Sequence, residues 1–350
     1  MTPVSPPSVS AKPSIGYALL VCATTLLSAG GVVYAIDIHD PHIIKQDDYY
    51  YIFSTGRRGK VVQTIRSKDL HTWGPVENVF SGVMDWVKKD IPNCRGFWAP
   101  DIHRFNGRYG LYYSASSFGS QQSIIGLATN VTLDPADPNY RWVDEGKVIE
   151  SREGMAYNAI DAGIVTDTEG GLWMSFGSFW DGIKMIELNP ETGKPLSDKP
   201  EVLSLARRPV SPDAIEAPHI IYHDGYYYLF VSFDYCCRRA DSTYKIMVGR
   251  SKEVVGPYAD AEGVEMLKGG GSLILESTER WKGPGHNSIL SDNGKDYLVY
   301  HAYDADNRGQ PTLQIRPLRW TENGWPAVGE PLEGLTLEEE EGSVQRTQSS

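Results

Sequence analysis

A short pattern recurs five times along this 350-residue chain, and no other feature restricts its fold as much. The copies are "DPHIIKQDDYYYIFS" from Asp40, "APDIHRFNGRYGLYYS" from Ala99, "DAGIVTDTEGGLWMSFGS" from Asp161, "APHIIYHDGYYYLFVS" from Ala217 and "HNSILSDNGKDYLVYHAY" from His286. Each opens on a small or polar pair, runs through three or four apolar residues, turns over Asp, Asn or Gly, and returns as an aromatic-rich strand. Period-two apolar runs split by such turns are β-hairpins. The copies start roughly 60 residues apart, too far for a hairpin alone and suited to a four-stranded antiparallel sheet with its loops. Five such sheets set radially make an all-β fold, a five-bladed β-propeller, which shelters its sheet edges. An aperiodic β-sandwich is the competing arrangement. The shared order and turn position of the copies speak against it.

Residues 36–336 show no composition break and read as one propeller domain, with Arg319 to Val328 as a final hairpin that helps to close the ring. Residues 1–35 read as a secretory signal peptide. An apolar run, Ile15 to Ala29, follows Lys12, and Val33 and Ala35 stand where a signal peptidase prefers small side chains. The run is shorter than the ~20 residues a spanning helix needs. An uncleaved anchor is the other reading. Residues 337–350 open on "LEEEE" and read as an acidic, polar tail. The expected mature chain is secreted, extracellular, monomeric and free of the membrane. A formal charge of −12 argues against nucleic acid or an anionic membrane as partner. Outside the leader stand Cys94, Cys236 and Cys237, with no CxxC spacing for a metal centre. A Cys94 bridge, a bond between the neighbours Cys236 and Cys237, and free thiols all stay open. Asn130 in "NVT" forms an N-glycosylation sequon.

In a propeller the innermost strand of each blade runs along the central channel, so equivalent residues at its start converge on one mouth. The register places Asp40, Asp161, Glu216 (just before Ala217) and His286 there, with Ala99 in the second copy. Three carboxylates so gathered suit hydrolysis of a glycosidic bond. One carboxylic acid protonates the leaving oxygen, and one carboxylate activates water or attacks. The third, as a nearby anion, raises the pKa of the acid so that it keeps its proton. Trp98, Phe118 and Trp180 flank these strands, and flat rings give sugar CH faces a platform.

At these residues the sequence resembles glycoside hydrolase family 43, and within it the endo-1,5-α-L-arabinanases. The likeness rests on "HDPHII" (His39 to Ile44), "FWAPDI" (Phe97 to Ile102), "YNAIDAGIV" (Tyr157 to Val165), "SFGSFWDGIKMIELNPETGKP" (Ser175 to Pro195), "AIEAPHIIYHDGYYYLFVSFDYCC" (Ala214 to Cys237), "STYKIMVGRS" (Ser242 to Ser251) and "GPGHNSIL" (Gly283 to Leu290). The resemblance implies inverting hydrolysis of internal bonds in linear arabinan, a pectin side chain. Asp40 then matches the general base, Asp161 the pKa modulator and Glu216 the general acid. His286 matches a histidine that approaches a central calcium ion through bound water, and calcium's preference for oxygen ligands suits a water shell. His39, Trp98, Phe118, Asn158, Ser178 and Trp180 fall where the family lines its sugar subsites.

This chain departs from that pattern at Ala162 and Gly163, where family members carry Pro-Asn or Pro, and at Asn287, where they carry Ser. Both changes are expected to alter subsite shape or metal environment. The rival activities are an exo-acting α-L-arabinofuranosidase or β-xylosidase of the same family, and a lectin-like propeller that binds without cutting.

Overall fold

In the computed structural model, which describes residues 35–338, every copy of the repeat becomes the first two strands of an antiparallel sheet. Blade one runs His42–Gln46, Tyr49–Thr55, Val62–Ser67 and Thr72–Trp73, and blade two Trp98–Phe105, Arg108–Ala115, Ser123–Asn130 and Val143–Ser151. Blade three is Gly163–Thr166, Leu172–Phe176, Ile183–Leu188 and Leu203–Ala206. Blade four is Ile215–His223, Tyr226–Phe233, Lys245–Ser251 and Ser272–Leu275, and blade five Trp281–Asp292, Lys295–Asp304, Gln310–Trp320 and Pro326–Val328. In each, sequence order is sheet order. The inner strands touch in the ring order one to five, and the inner strand of blade five packs on that of blade one. This is the expected five-bladed propeller.

Local chemistry explains the hairpins. Phe105 pairs with Arg108, His223 with Tyr226, and Asp292 with Lys295, which leaves two-residue loops Asn106-Gly107, Asp224-Gly225 and Asn293-Gly294. All six loop residues have positive φ. That is the turn whose twist matches the flanking strands, and Asn-Gly and Asp-Gly adopt it at least cost. The aromatic return strands then supply the glue between blades. Five buried clusters form, one for each neighbouring pair of blades. Between blades one and two, Phe97 stacks on Tyr113 with ring centres 4.1 Å apart. Each buried side chain of this size contributes about 1.5–3 kcal/mol relative to exposure.

Ring closure differs from the sequence expectation. Leu318–Trp320 and Pro326–Val328 do form a hairpin, but as the outer edge of blade five. The seam is closed by Ile36 and Ile38, buried between blades five and one, and by Thr336–Leu337. That last strand pairs in parallel with Thr72–Trp73 of blade one. The segment expected as a tail thus begins with bonded residues, since the Glu338 N–H also donates to the Trp73 carbonyl at 2.7 Å. The segment expected as a signal peptide, apart from Ala35, and residues 339–350 lie outside the described residues. Asn130 of the sequon is buried, and its Oδ1 accepts from the Thr132 and Arg141 backbone N–H groups. The folded chain does not present it to solvent.

Candidate active site

Asp40, Ala99, Asp161, Ala217 and His286, the first residues of the five copies, share one backbone conformation. Their φ values are 55, 43, 60, 57 and 50°. Non-glycine residues rarely occupy this left-handed region, and side chains held there cluster at functional sites. Where blades two, four and five begin, the pairing register also shifts, between Trp98 and Asp101, Glu216 and His219, and Gly285 and Ser288. A bulge of this kind re-aims a side chain off the sheet plane. The sheet in front supplies the hydrogen bond that each displaced N–H needs. Thr55 Oγ1 accepts from Ala99 N at 2.9 Å, Ser114 Oγ from Asp161 N at 3.0 Å and Ser232 Oγ from His286 N at 2.8 Å. Asp161 Oδ2 accepts from Ala217 N at 3.2 Å, and His301 Nδ1 from Asp40 N at 3.1 Å.

Three of these starts, Asp40, Asp161 and His286, and Glu216 beside a fourth, line one groove of about 1270 Å³. All ten residues singled out from the sequence line it: His39, Asp40, Trp98, Phe118, Asn158, Asp161, Ser178, Trp180, Glu216 and His286. The carboxyls and His286 sit at its buried floor. Phe118 is 85% exposed and Trp180 38%, so both rings stand free at the rim. Asn158 also has a partner within the fold: its Oδ1 accepts from Ser123 Oγ at 2.6 Å, at the start of the third strand of blade two.

The carboxyls are not electrostatically alike. Burial pushes Asp40 up, but His39 and His286 outweigh it and hold the carboxyl well below the usual range. His39 Nδ1 lies 2.7 Å from Asp40 Oδ2, and His286 Nδ1 lies 3.1 Å from Oδ1. Thr55 adds a hydroxyl donor to Oδ2. Burial pushes His286 down, but the Asp40 carboxylate, with Asp161 behind it, overcomes this and raises it to about 9. Glu216 moves the other way. Burial first, and then the Asp161 charge, push it up to about 8, while the Ser178 hydroxyl, 2.5 Å from Oε2, pulls against them. Asp161 is raised to about 6 by burial and by Asp40, with His286 opposing. Near neutral pH the groove therefore holds an ionised Asp40 and a protonated Glu216.

Several members of the site escaped the sequence reading. The Cys237 N–H donates to Tyr303 Oη at 2.8 Å, and Tyr303 Oη lies 2.7 Å from His39 Nε2. This chain leaves the His39 Nδ1 proton for Asp40 and fixes the tautomer. His301 is kept neutral by burial and stacks on His39, ring centres 3.9 Å apart. Because its Nδ1 accepts from Asp40 N, its 3.7 Å approach to Asp40 Oδ1 is not an ion pair. Cys236 and Cys237 form a disulfide at the groove wall, and Cys94 is a buried free thiol. Thr55 ends the aromatic return strand of blade one and His301 lies in that of blade five, each bonding the start of the next blade, which was the one available signal. The departures Ala162, Gly163 and Asn287 do not line the groove. A Cβ on Gly163 would lie 2.2 Å from the Pro218 carbonyl oxygen, so glycine there lets the inner strands of blades three and four approach.

A low-pKa carboxylate and a proton-holding carboxyl facing one aromatic-rimmed groove define a propeller built to hydrolyse glycosidic bonds. The chain belongs to glycosyl hydrolases family 43, whose profile matches residues 30–326. It is 43% identical over 321 residues to the extracellular exo-α-(1→5)-L-arabinofuranosidase ArbA of Cellvibrio japonicus, covering 89% of this chain and 90% of the relative. It is 44% identical over 294 residues to the extracellular endo-α-(1→5)-L-arabinanase 1 of Bacillus subtilis, covering 83% and 87%. The solved structure of Cellvibrio cellulosa α-L-arabinanase complexed with arabinohexaose superposes with a TM-score of 0.80 at 43% identity, covering 85% of this chain and 96% of that one.

Proposed function

We propose that this protein is an inverting endo-1,5-α-L-arabinanase that cuts internal bonds of linear arabinan. The observation that carries the reading is the convergence of Asp40, Asp161 and Glu216 on one groove, with His39 and His286 against the Asp40 carboxylate and the Ser178 hydroxyl against Glu216. Asp40, held anionic by His39 and His286, takes a proton from a water that attacks the anomeric carbon. Glu216 gives its proton to the departing O5. Burial, and after it the Asp161 charge, keeps Glu216 protonated, and Asp161 also steadies the backbone beside it through its bond to Ala217 N. Ser178 orients the Glu216 carboxyl. Trp98, Phe118 and Trp180 carry the sugar rings.

Relatives of nearly equal identity carry endo and exo names, so product length is the discriminating test. Debranched arabinan is expected to give mixed short oligomers in the first minutes of digestion. Release of a single small product from the outset would favour the exo reading. Relatives described as extracellular also support secretion. If the chain is exported, mature protein in culture supernatant begins close to residue 36.

A calcium ion belongs to the same proposal. Direct ligation through His286 Nδ1 does not fit, because that atom faces Asp40. A water-shelled ion does fit, since Asp101 Oδ1 and Asn287 Oδ1, on the inner strands of blades two and five, are buried without hydrogen-bond partners. Such oxygens suit calcium's second shell. When bound, the ion would supply fixed positive charge favouring the ionised aspartates. Chelation followed by dialysis is expected to lower the Tm and activity together, with calcium restoring both. An unchanged Tm would remove calcium from the account.

A further inference from the structure

The connection between the second and third strands of every blade reaches the same mouth, but the five connections differ in chemistry. Blades two and three present Phe118 and Trp180 among serines. Blades one, four and five present arginine: Arg57 and Arg58, Arg238 and Arg239, and Arg308. The whole chain is acidic, with 45 Asp and Glu against 33 Lys and Arg. Around the groove that balance inverts. Five arginines line it, and its carboxylates are the three at its floor.

Arg57 and Arg58 share Asp37, at 3.2 and 2.8 Å. Among the described residues, Arg238, Arg239 and Arg308 have no carboxylate within ion-pair distance. Arg238 lies over Tyr235, its Cζ 3.8 Å from the ring centre. The loops of blades four and five adjoin, since a Cβ on Gly309 would lie 2.6 Å from Arg239 Cβ. Arg58, Arg239 and Arg308 also have φ of 50, 56 and 55°. Glycine or asparagine takes that conformation more readily, so long cationic side chains kept at three such positions point to use.

We propose that this arc of arginines binds carboxylate-bearing sugar units flanking the arabinofuranosyl chain, a reading that rests on the arabinan assignment above. The planar guanidinium offers a carboxylate two parallel hydrogen bonds. A neutral arabinofuranose has no charge to match it. The groove is thus divided, with aromatic rings for the neutral chain on blades two and three and cations for acidic sugars on blades one, four and five.

The test is calorimetric binding to the intact protein of three probes: oligogalacturonate, its fully methyl-esterified form, and a sulfated glucan of similar length. The acid form is expected to bind most tightly, with esterification weakening it roughly tenfold or more. Paired Arg239→Gln and Arg308→Gln substitutions are expected to weaken it by a similar factor, and the lysine versions by less. Rates on arabinan linked to galacturonate, relative to linear arabinan, fall in the glutamine variant. Equal binding of the ester, equal binding of the sulfated glucan, or a glutamine variant that binds like the wild type would each overturn the proposal. Should the wild type leave linear arabinan uncut, the enzymatic reading fails separately, and the binding measurement still decides the arginine arc.

Discussion

Replacing Glu216 by Gln, or Asp40 by Asn, is expected to lower kcat/KM on linear arabinan by roughly 10²–10⁴-fold each, the range of one lost general acid or base. The two variants should move stability in opposite directions. Glu216 keeps its proton in the folded chain up to about pH 8, whereas an unfolded glutamate ionises in the ordinary carboxyl range. A carboxyl with a raised folded pKa makes the folded state progressively less favourable as pH climbs between those two values. Glu216→Gln removes that penalty, so its Tm at pH 8 is expected to exceed that of the wild type. Asp40 has a depressed folded pKa, so its stabilising contribution is present above the ordinary carboxyl range and lost as pH falls toward the depressed value. Asp40→Asn leaves the protonated His286 without its anion, and breaking a buried pair in this way costs about 3–5 kcal/mol. Thermal melts of the two variants at pH 5 and pH 8, beside initial rates, check both halves. Glu216→Gln with near-normal rate, or equal Tm losses in both variants, would contradict the assignment of acid and base.

Asp161→Asn is expected to move the alkaline limb of the pH–rate profile to lower pH. Activity requires Glu216 to hold a proton, so it is lost as pH rises through the acid's apparent pKa, and the low-pH limit falls where Asp40 takes up a proton. Burial is the first cause of the raised Glu216 value and is unchanged by the substitution. The Asp161 charge is the second, and it disappears. The Asn oxygen still accepts from Ala217 N, so the backbone beside Glu216 keeps its support. The rate of the variant should therefore recover partly toward acid pH. A uniform loss at all pH values would make Asp161 a structural residue rather than a tuning anion.

The propeller and the floor of the site were legible because both repeat. Asp40, Asp161 and His286 occupy equivalent positions of the copies, and an equivalent position in a ring means a shared place in space. The left-handed backbone common to these residues shows that equivalence down to a single dihedral angle. Ala99 kept the pattern without the chemistry, and its N–H is held by Thr55, the same residue that donates to Asp40. What repeats only in role was not legible. Thr55, Ser114, Ser232 and His301 do one job with three kinds of side chain, in the later part of strands whose aromatic character hides them. The rim was less legible still, because its loops differ in length and sequence from blade to blade. A net charge of −12, averaged over the chain, conceals five arginines at one opening.

The measurement closest to the central claim is proton NMR of the first arabinan products, recorded before their anomers equilibrate. An ionised Asp40 working through water opposite a protonated Glu216 delivers hydroxyl to the far face of the sugar, so new reducing ends appear first as the β anomer. New reducing ends that appear first as α would mean that a carboxylate had attacked the sugar directly. That result would contradict the roles given to Asp40 and Glu216.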